Sequence, residues 1–198
     1  MMTTAPAPEL LLDHRGTPRR VNKTSLSYDD SRLGTAFHEA GHAVVAMSYG
    51  LHVVTSEIIA WSPEPGQWRT TGNTALEFRP SMPWQFATQS AASTLAEVRY
   101  LMVYGLWTPG VALGCAAEHD REQAIDVLAA NGHRIGRDRV PAGGKSWGQV
   151  RGIALRKVDR LWPEIQIVAH AMNENTKLTG DQIAAMTGLT NFPLGGAA

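Results

Sequence analysis

His38, Glu39 and His42 stand in the run Thr35-Ala36-Phe37-His38-Glu39-Ala40-Gly41-His42-Ala43-Val44-Val45. On a helix, residues four apart lie one turn apart on the same face. Two imidazoles placed this way can ligate one divalent ion, and Glu39 can then reach a water on that ion. The chemistry implied is metal-assisted hydrolysis, with His38 and His42 as ligands and Glu39 as general base. An amphipathic core helix with idle histidines would account for neither Glu39 nor the spacing.

The segment around the triplet reads as the helix such a site needs. Asp30 and Ser31 are good capping residues, and Leu33, Phe37, Ala40, Val44 and Met47 recur at helical spacing. Gly50 is suited to close the helix, which is expected over about residues 31–49. Gly41 costs up to ~1 kcal/mol inside a helix relative to alanine, so its presence implies that another backbone packs closely there.

Downstream, His52–Trp61 and Thr70–Phe78 are rich in β-branched residues and read as two strands joined by Ser62-Pro63-Glu64-Pro65-Gly66. A small hairpin or short sheet beside the metal helix is expected. Its edge suits main-chain pairing with an extended peptide, and a purely structural hairpin has the same signature. A second helix is expected over Ser81–Gly105, where Trp84, Ala87, Ala91, Leu95, Val98 and Met102 form an apolar stripe. Its small residues Ala87, Ala91, Ala92 and Ser93 would allow a close approach to Gly41. Trp107–Gly114 reads as a turn region, and a third helix is expected over about 117–130. Residues 132–147, with four glycines and a proline, read as a mobile loop. Ala142-Gly143-Gly144-Lys145-Ser146 has the ending of a phosphate-binding loop. Arg139 stands where that pattern needs glycine, and no apolar strand precedes it, so an ATP site is rejected. Helices are expected over 148–161 and from Pro163, with a Thr179/Gln182 capping box before a short last one.

The fold class expected is mainly α, with one domain over 31–188, a flexible arm over 1–30 and a disordered tail over 189–198. Within the arm, Leu10-Leu11-Leu12 could dock and His14 reads as solvated. The chain has 198 residues, 18 Lys plus Arg and 18 Asp plus Glu, and its net charge of zero gives no support to a nucleic-acid partner. The lone Cys115 excludes an internal disulfide and fits a reducing compartment. No apolar run approaches the ~20 residues that cross a bilayer, and Met1–Glu9 is a poor secretion signal. A cytoplasmic protein without a membrane span is expected.

Two histidines need a third protein ligand. A metzincin would carry glycine at position 45 and histidine at 48, where this chain has Val45 and Ser48. Asp120 falls in line with Ala124, Val127 and Leu128 on the inward stripe of the third helix, while Glu118, Glu122 and Asp126 form the solvent-facing row. A carboxylate on an apolar stripe is costly unless paired or metal-bound, although the dipole of the helix N-terminus would also favour it. Spacing alone leaves Asp120, Glu97 and His119 all open.

These residues resemble a known family. Thr35–Val45 is closely similar to the zinc helix of the peptidase domain of FtsH-type ATP-dependent zinc proteases. Ala91–Gly105, containing Leu95-Ala96-Glu97, resembles that domain's alanine-rich helix. Gly114-Cys115-Ala116-Ala117-Glu118-His119-Asp120, followed by Ala124, is similar to the segment that supplies the family's third zinc ligand. Trp162–Ile183 is similar to its closing helices. The likeness spans about residues 33–187 and is highly specific over 35–45. It implies Zn²⁺ on His38, His42 and Asp120, and Glu39 as base. Here Glu118-His119 replaces the family's small residue and asparagine. The ATPase module and membrane anchors have no counterpart, which implies a peptidase-type domain working without ATP on flexible segments or one particular protein partner. The partners expected are therefore a protein or peptide substrate and, in a homo-oligomer, further copies of the chain. Two other readings of the same residues are a catalytically silent zinc-binding regulatory or interaction module, and a hydrolase acting on something other than peptides.

Overall fold

A computed structural model describes residues 6–19, 24–64, 67–115 and 118–193. The fold is mainly α and is arranged around its first long helix, α1 (Tyr28–Met47). Its N-cap is Ser27, whose hydroxyl accepts from the Asp30 amide, and not the expected Asp30 or Ser31; the helix therefore gains a turn. It ends at Met47, with Gly50 in the left-handed region beyond it. From Ala36 to Met47 every residue of α1 is buried, so this is a central helix covered on all sides.

Strands β1 (Val53–Trp61) and β2 (Arg69–Leu76) form the expected antiparallel hairpin. Helix α2 (Pro83–Val103) follows, packed along α1. The region expected as a plain turn contains a short helix, α3 (Pro109–Gly114), because Thr108 caps it through the Val111 amide and Pro109 is preset for a first helical turn. The third expected helix is α4 (Glu118–Ala130), with Asp120, Ala124 and Leu128 buried.

Residues 132–147, read as a mobile loop, fold back on themselves instead. Ile135–Gly136 (β3) pairs in parallel with Lys145–Ser146 (β4), and Ile135 is buried. Gly136 and Gly144 lie against carbonyls of Arg139 and Arg134, with no space for a Cβ. Helices α5 (Trp147–Arg160) and α6 (Trp162–Asn175) complete the bundle, Pro163 opening α6 as expected.

A third strand, β5 (Lys177–Thr179), pairs with β1, giving the order β2-β1-β5. Three residues are too few to show a period in sequence. The turn into β5 passes through Thr176, whose positive φ of 68° is held by Arg32 donating to Asn173 Oδ1 and Thr176 Oγ1. Thr179 and Gln182 form the expected capping box of α7 (Gly180–Thr187). Within the segment expected as a tail, Asn191 clamps Val53 through both its amide and its carbonyl, and Phe192 O accepts from His52. Residues 194–198 lie outside the described part.

The core lies between α1 and its neighbours. Phe37, fully buried, stacks between Tyr100 of α2 and Trp162 of α6 at centroid distances of 4.8 and 5.2 Å. Burying a side chain of this size contributes roughly 1.5–3 kcal/mol and fixes the rotation of α1 about its axis. That rotation decides where His38 and His42 point. Among the described residues no helix is long and apolar enough to cross a membrane.

Candidate metal centre

The ligand-bearing turn of α1 faces α2 and the start of α4. Gly41 permits the close packing with α2: a Cβ there would lie 2.8 Å from Ala92 O and 2.9 Å from Ala96 Cβ. The expected approach of the small-residue face of α2 to Gly41 is thus present. It brings Gln89, Ser93 and Glu97, spaced at i, i+4 and i+8 on one face of α2, against the site.

His38, His42 and Asp120 converge, their ligand atoms all lying within 4.8 Å of one another. Asp120 Oδ2 is 3.1 Å from His38 Nε2 and 3.3 Å from His42 Nε2. All three residues are buried, at 9, 9 and 6 % exposure. A tetrahedral ion with ligand bonds of about 2.0–2.1 Å holds its ligand atoms about 3.3–3.4 Å apart. The donor set therefore fits a divalent metal ion, with two Nε2 atoms and one carboxylate oxygen.

Each prospective ligand is held from behind. His38 Nδ1 bonds to Glu97 Oε2 at 3.1 Å and His42 Nδ1 donates to Gln89 Oε1 at 2.7 Å, leaving both Nε2 atoms toward the centre. The Gln89 amide is oriented by its own donation to Ser90 Oγ. His119 Nε2 lies 3.0 Å from Asp120 Oδ1, and the Ser93 hydroxyl donates to Oδ2 at 2.9 Å. Such outer partners set the tautomer and direction of metal ligands. Glu97 and His119, the two rivals for the third ligand position, both serve as partners to a ligand in this arrangement.

In the metal-free cluster, charge opposes burial. Burial alone would lower the pKa of His38, but Asp120 and Glu97 hold it well above its ordinary value. His42 is likewise raised, Asp120 and Glu39 outweighing burial. Burial pushes Asp120 up, and the surrounding His42, His119 and His38 pull it well below the usual carboxylate range. The cluster is thus an ion-paired knot that must release protons when a metal enters.

Glu39 is buried on the β2 side of the helix. Thr74 Oγ1 donates to Glu39 Oε2 at 2.7 Å, and Ser56 Oγ lies 2.8 Å from Thr74 Oγ1. A Cβ at Gly72 would stand 2.4–2.6 Å from the Glu39 carboxylate and its Cγ, so glycine is what leaves this side chain its place. Glu39, His42, His119 and Asp120 share one cleft of about 350 Å³ between β2 and α4.

Thr74, Gly72 and Gln89 are site residues that sequence reasoning did not single out. A signal existed for Gln89: the row Gln89, Ser93, Glu97 repeats at helical spacing within an otherwise apolar, small-residue face. Gly72 and Thr74 gave none, since a strand of mixed polar residues does not say which neighbour it meets. No protein-family model matches the chain, and no curated protein matches it either.

Proposed function

We propose that this chain is a zinc-dependent endopeptidase that works without ATP on flexible or specific protein partners. The observation that supports it most is that Asp120, 82 residues from His38 in sequence, meets both imidazoles at ligand spacing, with Glu39 anchored in the same cleft. The donor set of two nitrogens and one oxygen suits Zn²⁺ and leaves a coordination position for substrate. His38, His42 and Asp120 would hold the ion. When bound, it supplies a Lewis acid that polarises the scissile carbonyl and lowers the pKa of a water toward about 7.

Glu39 would take that water's proton and pass it to the leaving amine. Thr74 fixes one carboxylate oxygen, so the proton is exchanged at Oε1, which lies against Gly72. Strand β2 is the edge of its sheet and borders the cleft, so an extended peptide can pair with its backbone and lie across Glu39. Folded proteins cannot present such a segment, and unfolded chains are the expected substrates.

The test is cleavage of unfolded casein by the zinc-loaded chain beside Glu39→Gln. Zinc content should be equal in the two proteins, and cleavage should be lost in the variant. Equal cleavage rules out Glu39 as base. No cleavage by either, with zinc bound, would leave an interaction module in place of an enzyme.

A further inference from the structure

The N-terminal segment does not stand away from the domain. Pro8–Leu11 forms one 3-10 turn, and the chain then folds into a small clip in which Asp13 and Arg19 amides donate to Thr17 and Leu11 carbonyls. Leu12, Asp13, His14 and Arg19 line the same cleft as Glu39 and Asp120. The clip touches both walls. On one side Arg19 Nη1 donates to the carbonyl of Gly72 on edge strand β2 at 3.3 Å. On the other, His14 Nε2 lies 2.7 Å from Asp126 Oδ2 of α4. Arg15 meets the same oxygen at 2.6 Å, with Glu122 at 3.8 Å. His14, expected to be solvated, has a side chain only 18 % exposed.

The contacts have a pattern. The polar contacts of the clip with the walls come from His14, Arg15 and Arg19, and what receives them is a carboxylate of α4 or a main-chain carbonyl of β2. Glu122 and Asp126 belong to the outward row of α4, which has no part in holding Asp120. The Arg15–Asp126 pair is the exposed one, and pairs of that kind contribute little each, so the clip can leave.

We propose that residues 12–19 of this chain form a clip that caps the cleft between β2 and α4 in cis, held there by His14 and Arg15 on Asp126 of α4 and by Arg19 on the Gly72 carbonyl of β2. The proposal rests on the peptidase reading only for its consequence: a substrate enters the cleft by displacing the clip. The binding itself needs neither metal nor catalysis.

The experiment uses the full, metal-free chain in three forms: wild type, Arg15→Glu, and Arg15→Glu with Asp126→Arg. Amide hydrogen exchange at Asp13 and Arg19 should be about tenfold or more faster in Arg15→Glu and return toward wild type in the double variant. A fluorescent peptide with the sequence of residues 8–19 should bind Arg15→Glu in trans, as read by anisotropy. The same peptide with Glu in place of Arg15 should not bind. Exchange that is equally fast in all three proteins, or peptide binding indifferent to the charge at that position, overturns the proposal. Casein cleavage by the zinc-loaded proteins is read separately. It should rise in Arg15→Glu; absent cleavage alongside intact peptide binding refutes the peptidase and leaves the clip standing.

Discussion

Gly41 and Gly72 flank the same buried turn of α1, and neither has space for a Cβ, but the obstacles differ. At Gly41 the obstacle is the packed helix α2: Ala92 O at 2.8 Å, Ala96 Cβ at 2.9 Å and Ser93 Cα at 3.1 Å. At Gly72 it is the side chain of Glu39 itself. The α2 wall is therefore a rigid joint that sets where the ligands point. The β2 wall faces Glu39, the acid that would do the chemistry, and it borders the cleft that the N-terminal clip caps. Structure and access are divided between two faces of one helix. Protein interiors pack too densely to yield on the first side, whereas a strand edge and exposed ion pairs can yield on the second.

The largest effect that would test this division is on activity. Gly72→Ala should displace the Glu39 carboxylate by about an ångström and lower kcat by about 100-fold, with zinc binding and melting temperature nearly unchanged. A variant that also loses zinc would show that the β2 wall positions the ligands too, and would break the distinction.

The matching substitution on the other wall should act on stability first. Gly41→Ala is expected to force α1 and α2 apart at a cost of about 1–3 kcal/mol. At roughly 2–4 °C for each kcal/mol in a chain of this size, thermal melting would show it. Zinc affinity should fall as well, because Gln89, Ser93 and Glu97 retreat with α2.

Gln89→Leu sharpens the same point within the α2 wall. It removes the acceptor at His42 Nδ1 without altering the helix contact, and it should weaken zinc affinity by about 10–100-fold in a chelator competition. Gln89→Glu should restore most of that loss. If the leucine variant melts early yet binds zinc normally, Gln89 is a packing residue only.

The smallest effect is graded by pH. In the metal-free chain His38 and His42 are raised, so their share of stability is full below the ordinary imidazole value and is lost as pH rises through the folded value. Asp120 is lowered, so its share is present above the ordinary carboxylate value and is lost as pH falls through the folded one. The metal-free protein should thus be most stable between those limits. Zinc binding should release protons, its affinity dropping up to about tenfold per pH unit for each proton released as the solution is acidified. A buffer-dependent calorimetric titration measures that release. On the β2 wall, Thr74→Val should leave it unchanged.

Much of the fold was legible because periodicity is a local property. The helix of His38 and His42, the hairpin, α2 and the Thr179/Gln182 box follow from spacing and capping chemistry within windows of about twenty residues. The short α3, the three-residue β5 and the fold-back at Ile135 were missed because each depends on what it packs against. For the site, spacing identified the histidine pair, Glu39 and the inward stripe of α4 and left Asp120, Glu97 and His119 as competitors for one position, among which only the family resemblance pointed to Asp120. All three were near the centre, and spacing cannot say which carboxylate oxygen faces which nitrogen.

What the sequence determined by itself is the helical triplet His38, Glu39, His42 and its amphipathic setting, since a side chain's face on a helix depends only on its count along the chain. The tertiary structure decided which residues back the ligands: Glu97 behind His38, Gln89 behind His42, and His119 and Ser93 about Asp120. It also decided that Gly72 gives Glu39 its space and that the N-terminal clip reaches Asp126. These pairings join residues tens of positions apart, and their distances are set by how α1, α2, α4 and β2 pack, which no local pattern encodes.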